Sequence, residues 1–216
     1  MNIFAIICLF VAVTLLWFPR GWLRQGARLT AKPPRKINQS KVERDIHDNT
    51  VKAGAEAAKP RNWIDLTRGA IGAGTVVFTL QELFGSTETT GGVLYGSLGV
   101  LLVAVAIQMV RMEGRLSLFA PIFFLQGMTI GVIGPLVGLL SMAGTWAVSP
   151  MLPNSSAVLF VQGGLSVGLT FLLTDSDLIL PLVITGLTWL PMLTSALTRR
   201  RLSATFDKKQ KVVPRP

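Results

Sequence analysis

Helix-breaking and uncharged polar residues in the last two apolar stretches are the residues of this sequence best suited to handling a solute. Pro181 and Pro191 stand ten positions apart, and threonines lie between them. Proline frees backbone carbonyls, which threonine hydroxyls can satisfy, and broken helices near mid-membrane are typical of transporter sites. A kinked packing helix explains the same pattern without a site. The candidate solute path consists of Gln162, Pro181, Thr185, Gly186, Thr188 and Pro191.

Residue types that catalyse reactions or bind metals are scarce. Single copies of cysteine (Cys8) and histidine (His47) exclude an intrachain disulfide, a cysteine metal cage and a bis-histidine haem site. The last apolar stretch has no lysine for a retinal Schiff base. Asp175 and Asp177 form an Asp-x-Asp pair, which a charged connector between helices explains better than a metal-nucleotide site. We therefore expect no catalytic residues, no metal and no cofactor.

The remaining strong polar groups have ordinary structural uses. Gln108, Gln126 and Gln162 fall inside apolar stretches, where interhelical hydrogen bonding is their usual part. Asp65 and Arg68 lie at one end of the second stretch. There Asn62 is expected to cap a helix, and Asp65 to complement its positive end.

Glycine pairs four residues apart occur throughout the apolar region. Such pairs share one helix face and let two backbones approach closely in lipid. Packing inside the bundle is their main expected use, and contact with other subunits is the alternative. Gly127 and Gly131 are expected to pack internally, and Gly92 and Gly96 to meet a partner. The predicted packing residues are Gly92, Gly96, Gly127, Gly131, Gly134, Gly138, Gly164 and Gly168, with Ala70 and Gly74 as a related pair.

The distribution of charge indicates whether these residues lie in a water-soluble protein or in a membrane. Residues 69–197 are 129 positions with only seven charged side chains and no lysine. Neither a water-soluble core nor a disordered segment has such a composition. The sequence therefore predicts an all-α, polytopic membrane protein.

Apolar runs near 20 residues long mark the candidate spans. An uncleaved N-terminal anchor, residues 1–18, is preferred over a signal peptide. Met1 and Asn2 place no basic residue before the apolar run, and no small-x-small cleavage site follows it. The run 116–153 is too long for one span, and we divide it at Gly134-Pro135, a turn signal. Seven spans result, with six as the alternative. Within the bundle of residues 63–197 the spans are about 66–84, 92–110, 116–132, 136–152, 157–174 and 178–197.

Seven spans place all 21 Lys and Arg on one side of the bilayer. The positive-inside rule then puts the N-terminus outside and the C-terminus in the cytoplasm. Six spans would leave the basic tail, residues 198–216, on the wrong side. We expect the integral, multi-pass protein in a bacterial inner membrane.

The polar loop, residues 19–62, carries eleven basic residues and a possible short helix over 41–58. A net charge of +10 on a membrane protein indicates anionic headgroups as partners and not nucleic acid. Other membrane subunits or further copies of the chain are the expected protein partners. Two functions follow from the sequence: a non-catalytic accessory or scaffold subunit of a membrane complex, or a small carrier or channel for an uncharged or weakly polar solute.

Overall fold

The computed structural model describes residues 3–19, 56–84, 90–113, 115–174, 179–199 and 202–203, and these residues are mostly helical. Most of the loop 19–62, of the predicted helix 41–58 and of the tail 198–216 lies outside the described residues.

Seven α-helices and one small sheet make up the described part of the chain. The helices are α1 Ile3–Trp17, α2 Pro60–Phe84, α3 Thr90–Met109, α4 Ile122–Ile133, α5 Pro135–Val148, α6 Ser155–Leu173 and α7 Ile179–Thr198. A 3₁₀ turn, Ser149–Met151, follows α5. The strands are β1 Val110–Glu113, β2 Arg115–Phe119 and β3 Leu202–Ser203.

The sheet corrects the prediction of a purely helical chain. β1 and β2 form an antiparallel hairpin, and β3 pairs parallel to β2. Residues 116–119, expected to begin a span, are therefore strand. Apolar and polar residues alternate along 115–118, a period that suits a strand. Because a residue before proline avoids the α-helical region, Pro121 prevents the next helix from starting earlier.

Three helices are long and apolar enough to cross a bilayer, namely Gly91–Met109, Ser155–Leu173 and Ile179–Thr198. Two further apolar helices, α1 and α4, are shorter. The longest helix, α2, has 25 residues and carries charged side chains in its first turns.

The second helix organises one half of the bundle. It packs against α1, α3 and α4, and α5 connects this group to the α6–α7 pair. Fully buried core residues come from both groups, among them Val76 of α2, Leu101 of α3 and Leu159 of α6.

The ends of several helices meet the small sheet at one end of the bundle. Arg68, near the start of α2, contacts the carbonyl of Phe18, just after α1, and the side chain of Gln108, near the end of α3. Gln108 also lies just before β1 in the chain, and β3 pairs with the hairpin after α7. The Ser155 hydroxyl at the start of α6 donates to the Leu202 carbonyl of β3. We call this end the hairpin end.

Helices α4 and α5 are joined by Gly134 alone. Gly134 has a φ of 116°, a backbone conformation that L side chains rarely adopt. Pro135 then begins α5 at a helix position where its fixed φ is favourable. The Gly-Pro break predicted in the sequence is thus a turn between two helices.

Candidate functional site

A buried ion pair dominates the hairpin end. Arg68 is 6% exposed and Asp65 is 1% exposed. The Arg68 Nε lies 3.0 Å from Asp65 Oδ1. Arg68 Nη1 donates to the Phe18 carbonyl at 2.6 Å, and Nη2 donates to Gln108 Oε1 at 2.6 Å. The guanidinium therefore has partners in three separate parts of the chain.

Gln108 completes this cluster. Its Nε2 donates to the carbonyls of Leu16 at 3.1 Å and Phe18 at 2.9 Å. The last carbonyls of a helix have no partner within the helix, and a cation near them is favourable. Arg68 and Gln108 therefore satisfy the C-terminal end of α1. The expected interhelical role of Gln108 is confirmed.

The Arg68 guanidinium also lies over the ring of Phe124 in α4, with Cζ 5.4 Å from the ring centroid. A cation over an aromatic face is attracted to it. One arginine therefore links four helices. The sequence placed Arg68 at a helix end next to Asp65, but it gave no indication that Phe18, Gln108 and Phe124 would surround it.

The predicted cap of α2 is wrong. The helix begins at Pro60, so Asn62 lies inside its first turn. The Asn62 amide donates to the backbone carbonyl of Glu56 at 2.8 Å and to its carboxylate at 2.9 Å. Glu56 is 5% exposed and also pairs with Lys59. Proline is favourable at a first helical position because its missing N–H is not needed there, and this moves the start upstream.

Glycines form the closest helix crossing, between α2 and α4. A Cβ built on Gly127 or Gly131 would overlap the α2 backbone at Leu66 and Ala70. A Cβ on Gly69 would lie 2.5 Å from the Phe124 carbonyl oxygen. Because these close contacts are between the backbones of α2 and α4, no flexible side chain can move aside to relieve the overlap.

The other predicted packing glycines lie in different surroundings. A Cβ on Gly138 would lie 2.5 Å from the Ile130 Cα, and one on Gly96 would lie 3.3 Å from Leu80 of α2. Gly92 is half-buried near the start of α3, and open space surrounds Gly134.

The pair Gly164 and Gly168 points outward. Both glycines of α6 are exposed, and a Cβ on either would meet no atom within 4 Å. Gly164 and Gly168 are therefore the one predicted pair in which a Cβ added to either glycine would contact no described atom.

The predicted solute path divides between the interior and the surface. Its buried members are Gln162, Pro181, Thr185, Thr188 and Pro191, whereas Gly186 is exposed. The hydroxyl of Thr185 donates to the Gly163 carbonyl at 3.3 Å, and that of Thr188 donates to its own helix at Ile184.

An aromatic contact that the sequence did not reveal closes the space between α6 and α7. Trp189 stacks on Phe160 with ring centroids 5.3 Å apart. A Cβ on Gly163 would overlap the Trp189 indole. Gly163 therefore leaves room for the Trp189 ring. The available sequence signal was Gly163-Gly164 in one apolar stretch and a tryptophan in the next.

Two buried glutamines differ in their partners. Gln126 Oε1 accepts a hydrogen bond from the Trp146 indole at 3.1 Å. Gln162 is 1% exposed, and neither its amide nitrogen nor its oxygen has a hydrogen-bond partner among the described residues. A buried amide without a hydrogen-bond partner is energetically costly.

The described ranges contain no cluster of three or more His, Cys, Asp or Glu residues that could hold an ion.

Comparison with protein families, curated proteins and solved structures finds no match to this chain.

Proposed function

We propose that this protein is a non-catalytic accessory or scaffold subunit of a larger complex in a bacterial inner membrane. The observation that carries the proposal is the outward-facing pair Gly164 and Gly168 on α6, which no described atom covers.

The exposed face of α6 has the shape of a helix-docking surface. Phe160, Gly164, Gly168 and Phe171 follow one another at helical spacing, and the two phenylalanines are 54% and 70% exposed. Two glycines between aromatic side chains make a shallow groove. Small residues let a second helix approach closely in lipid, where no hydrophobic drive brings helices together. The proposed occupant is a transmembrane helix of a different subunit.

The buried ionisable groups of the bundle support a structural role for the protein. Asp65 and Arg68 are both buried, and the contacts of Arg68 hold α1, α2, α3 and α4 together. A catalytic acid, base or nucleophile needs access to a substrate, which this pair does not have.

The proposed orientation places the hairpin end in the cytoplasm. All 21 Lys and Arg then lie on the side of the anionic inner surface. Reporter fusions test this orientation: fusions after Ala55 and at the C-terminus are expected to read cytoplasmic, and one at Glu88 outside. A C-terminal fusion that reads outside would overturn it.

The subunit proposal is tested by purification in mild detergent and native mass spectrometry. We expect a stoichiometric complex with a different membrane protein. The double variant Gly164→Leu/Gly168→Leu fills the groove and should release the partner without lowering the thermal stability of the isolated chain. Gly99→Leu is the matched control, since Gly99 is also exposed and open but lies on α3. Recovery of a lone monomer or homodimer, or equal loss of the partner in the control, would contradict the proposal.

A carrier or channel for a small neutral solute is the second candidate, favoured by the amide of Gln162. An amide that can donate and accept hydrogen bonds suits an uncharged polar solute. The helix beside it, α7, is continuous in the structure and contains Pro191, so the break predicted from the sequence is not observed. A monomer that releases glycerol or urea from proteoliposomes, with loss of release in Gln162→Leu, would favour this function. An unchanged release rate in that variant would exclude Gln162 from the path.

A further inference from the structure

The two helices α4 and α5 are too short to cross a bilayer. With 12 and 14 residues at about 1.5 Å per residue, they are roughly 18 Å and 21 Å long. The hydrocarbon core is about 30 Å thick and requires about 20 residues. Since Gly134 alone joins the helices, no further residues extend the pair at the turn.

Contacts with α2 show how far the pair reaches. Helices α2 and α4 run in the same direction from the hairpin end, because Phe124 lies beside Gly69 and Gly131 beside Gly74. From Gly74, α2 continues for ten more residues to Phe84, which is about 15 Å. The turn at Gly134 therefore lies well short of the far end of α2.

The face of α2 that α4 covers becomes exposed beyond this turn. Ala70 and Gly74 lie under α4, whereas Phe78, one turn further along the same face, is 63% exposed. At the turn itself, Leu136 is 62% exposed. We call the space bounded by Phe78, Gly134 and Leu136 the recess.

Both backbone polar groups of Gly134 have hydrogen-bond partners. The Gly134 N–H donates to the Ile130 carbonyl at 3.2 Å, and the Gly134 carbonyl accepts from Gly138 at 3.0 Å. Backbone inside a membrane is tolerated when its polar groups are satisfied. Phe78, Gly134 and Leu136, which bound the recess, have no polar side-chain atoms to bond water, and the exposed Glu82 lies one turn beyond Phe78 on the same face of α2.

We propose that α4 and α5 form a re-entrant hairpin that enters the bilayer from the hairpin end and turns back at Gly134 in mid-membrane. An acyl chain of a lipid from the opposite leaflet fills the recess. This inference rests on the proposal that the chain is embedded in a membrane, but not on its being a subunit. Whether α4 and α5 each cross part of the bilayer or all of it, the chain returns to the side from which it entered. The Lys and Arg residues therefore lie on the same side in both cases.

Spin-label depth measurements test the hairpin in the full chain. Single cysteines are introduced into a Cys8→Ser background, labelled with a nitroxide and reconstituted into phosphatidylglycerol-containing vesicles. Leu136→Cys reports on the turn and Phe84→Cys on the far end of α2. Leu102→Cys is the level-matched control: α2 and α3 are antiparallel, with Gly96 beside Leu80 and Gln108 beside Arg68, which places Leu102 level with Gly74.

Collisions with oxygen, which concentrates in the hydrocarbon, and with a water-soluble nickel chelate give the depth of each label. We expect Leu136 to match Leu102 and to lie about 10 to 15 Å deeper than Phe84, the separation that the helix rise implies. Leu139→Cys, an exposed site one turn further along α5, provides a second deep position if the first label disturbs the turn.

Each other outcome overturns a defined part of the inference. Labels at Leu136 and Leu139 as shallow as that at Phe84 would show that the pair crosses the bilayer. A deep Leu136 label that collides freely with the nickel chelate would show a water-filled recess and exclude the lipid. A Leu102 label outside the hydrocarbon would refute membrane embedding itself, whereas loss of the proposed partner subunit leaves all three depths unchanged.

Discussion

Replacing Gly127 with alanine is expected to destabilise the protein because it forces α2 and α4 apart. The new Cβ would overlap the Leu66 carbonyl and lie 2.9 Å from the Ala70 nitrogen. Overpacking of this kind costs about 1 to 3 kcal/mol, and rigid backbone on the opposing side places Gly127 in the upper part of that range.

Gly164→Ala is the matched control for this measurement. Both glycines are helical, so alanine brings each helix the same gain in propensity, about 0.8 to 1 kcal/mol in water. Gly164 has no atom within 4 Å of the added Cβ, so the gain is not opposed there. The difference between the two variants therefore isolates the steric cost.

Thermal unfolding in mild detergent gives the result. A cost of about 2 to 3 kcal/mol corresponds to a melting temperature roughly 4 to 12 °C lower for Gly127→Ala than for Gly164→Ala. Equal melting temperatures would refute the close crossing of α2 and α4 and the argument built on it.

Three further changes test other contacts by the same unfolding measurement. Arg68→Met leaves the Asp65 carboxylate buried without its cation and should cost about 3 to 5 kcal/mol; the double variant with Asp65→Leu should recover part of this loss, and no recovery would show that the pair is not coupled. Ser155→Ala removes the hydrogen bond to Leu202, and we expect a loss of about 1 kcal/mol together with faster amide exchange in β3; unchanged exchange would contradict the bond's part in holding that strand. Gly134→Ala should cost roughly 1 to 3 kcal/mol through backbone strain alone, since open space surrounds the position, and a neutral result would refute the assigned φ.

The helical character of the chain could be predicted from composition and turn signals. Apolar runs indicated where helices lie, and Gly134-Pro135 indicated a break that the structure places between α4 and α5. These signals are local: the length of an apolar run and the chemistry of a proline do not depend on distant residues.

The strands and the start of α2 were harder to predict because nearby signals competed. Residues 116–119 are uncharged, mostly apolar and continuous with an apolar helix, so their hydropathy fits a span as well as a strand. Pairing with residues 110–113 and 202–203 decides in favour of strand. The second of these partners is more than 80 positions away, and its choice cannot be read from the local pattern.

The sequence by itself determined that this is a mostly helical chain with its charge concentrated in residues 20–68 and in the tail 198–216, because hydropathy and charge are properties of single residues summed over short windows. The tertiary structure decided which glycines meet a backbone and which face outward, since Gly127 and Gly164 have the same four-residue spacing to a second glycine and differ only in what packs beside them. It also decided that Arg68 is enclosed by Phe18, Gln108 and Phe124, residues 40 to 56 positions away in the chain. The physical reason is that close packing and hydrogen bonding act between side chains that are neighbours in space, and the helix crossings that make them neighbours are settled only when the whole bundle is assembled.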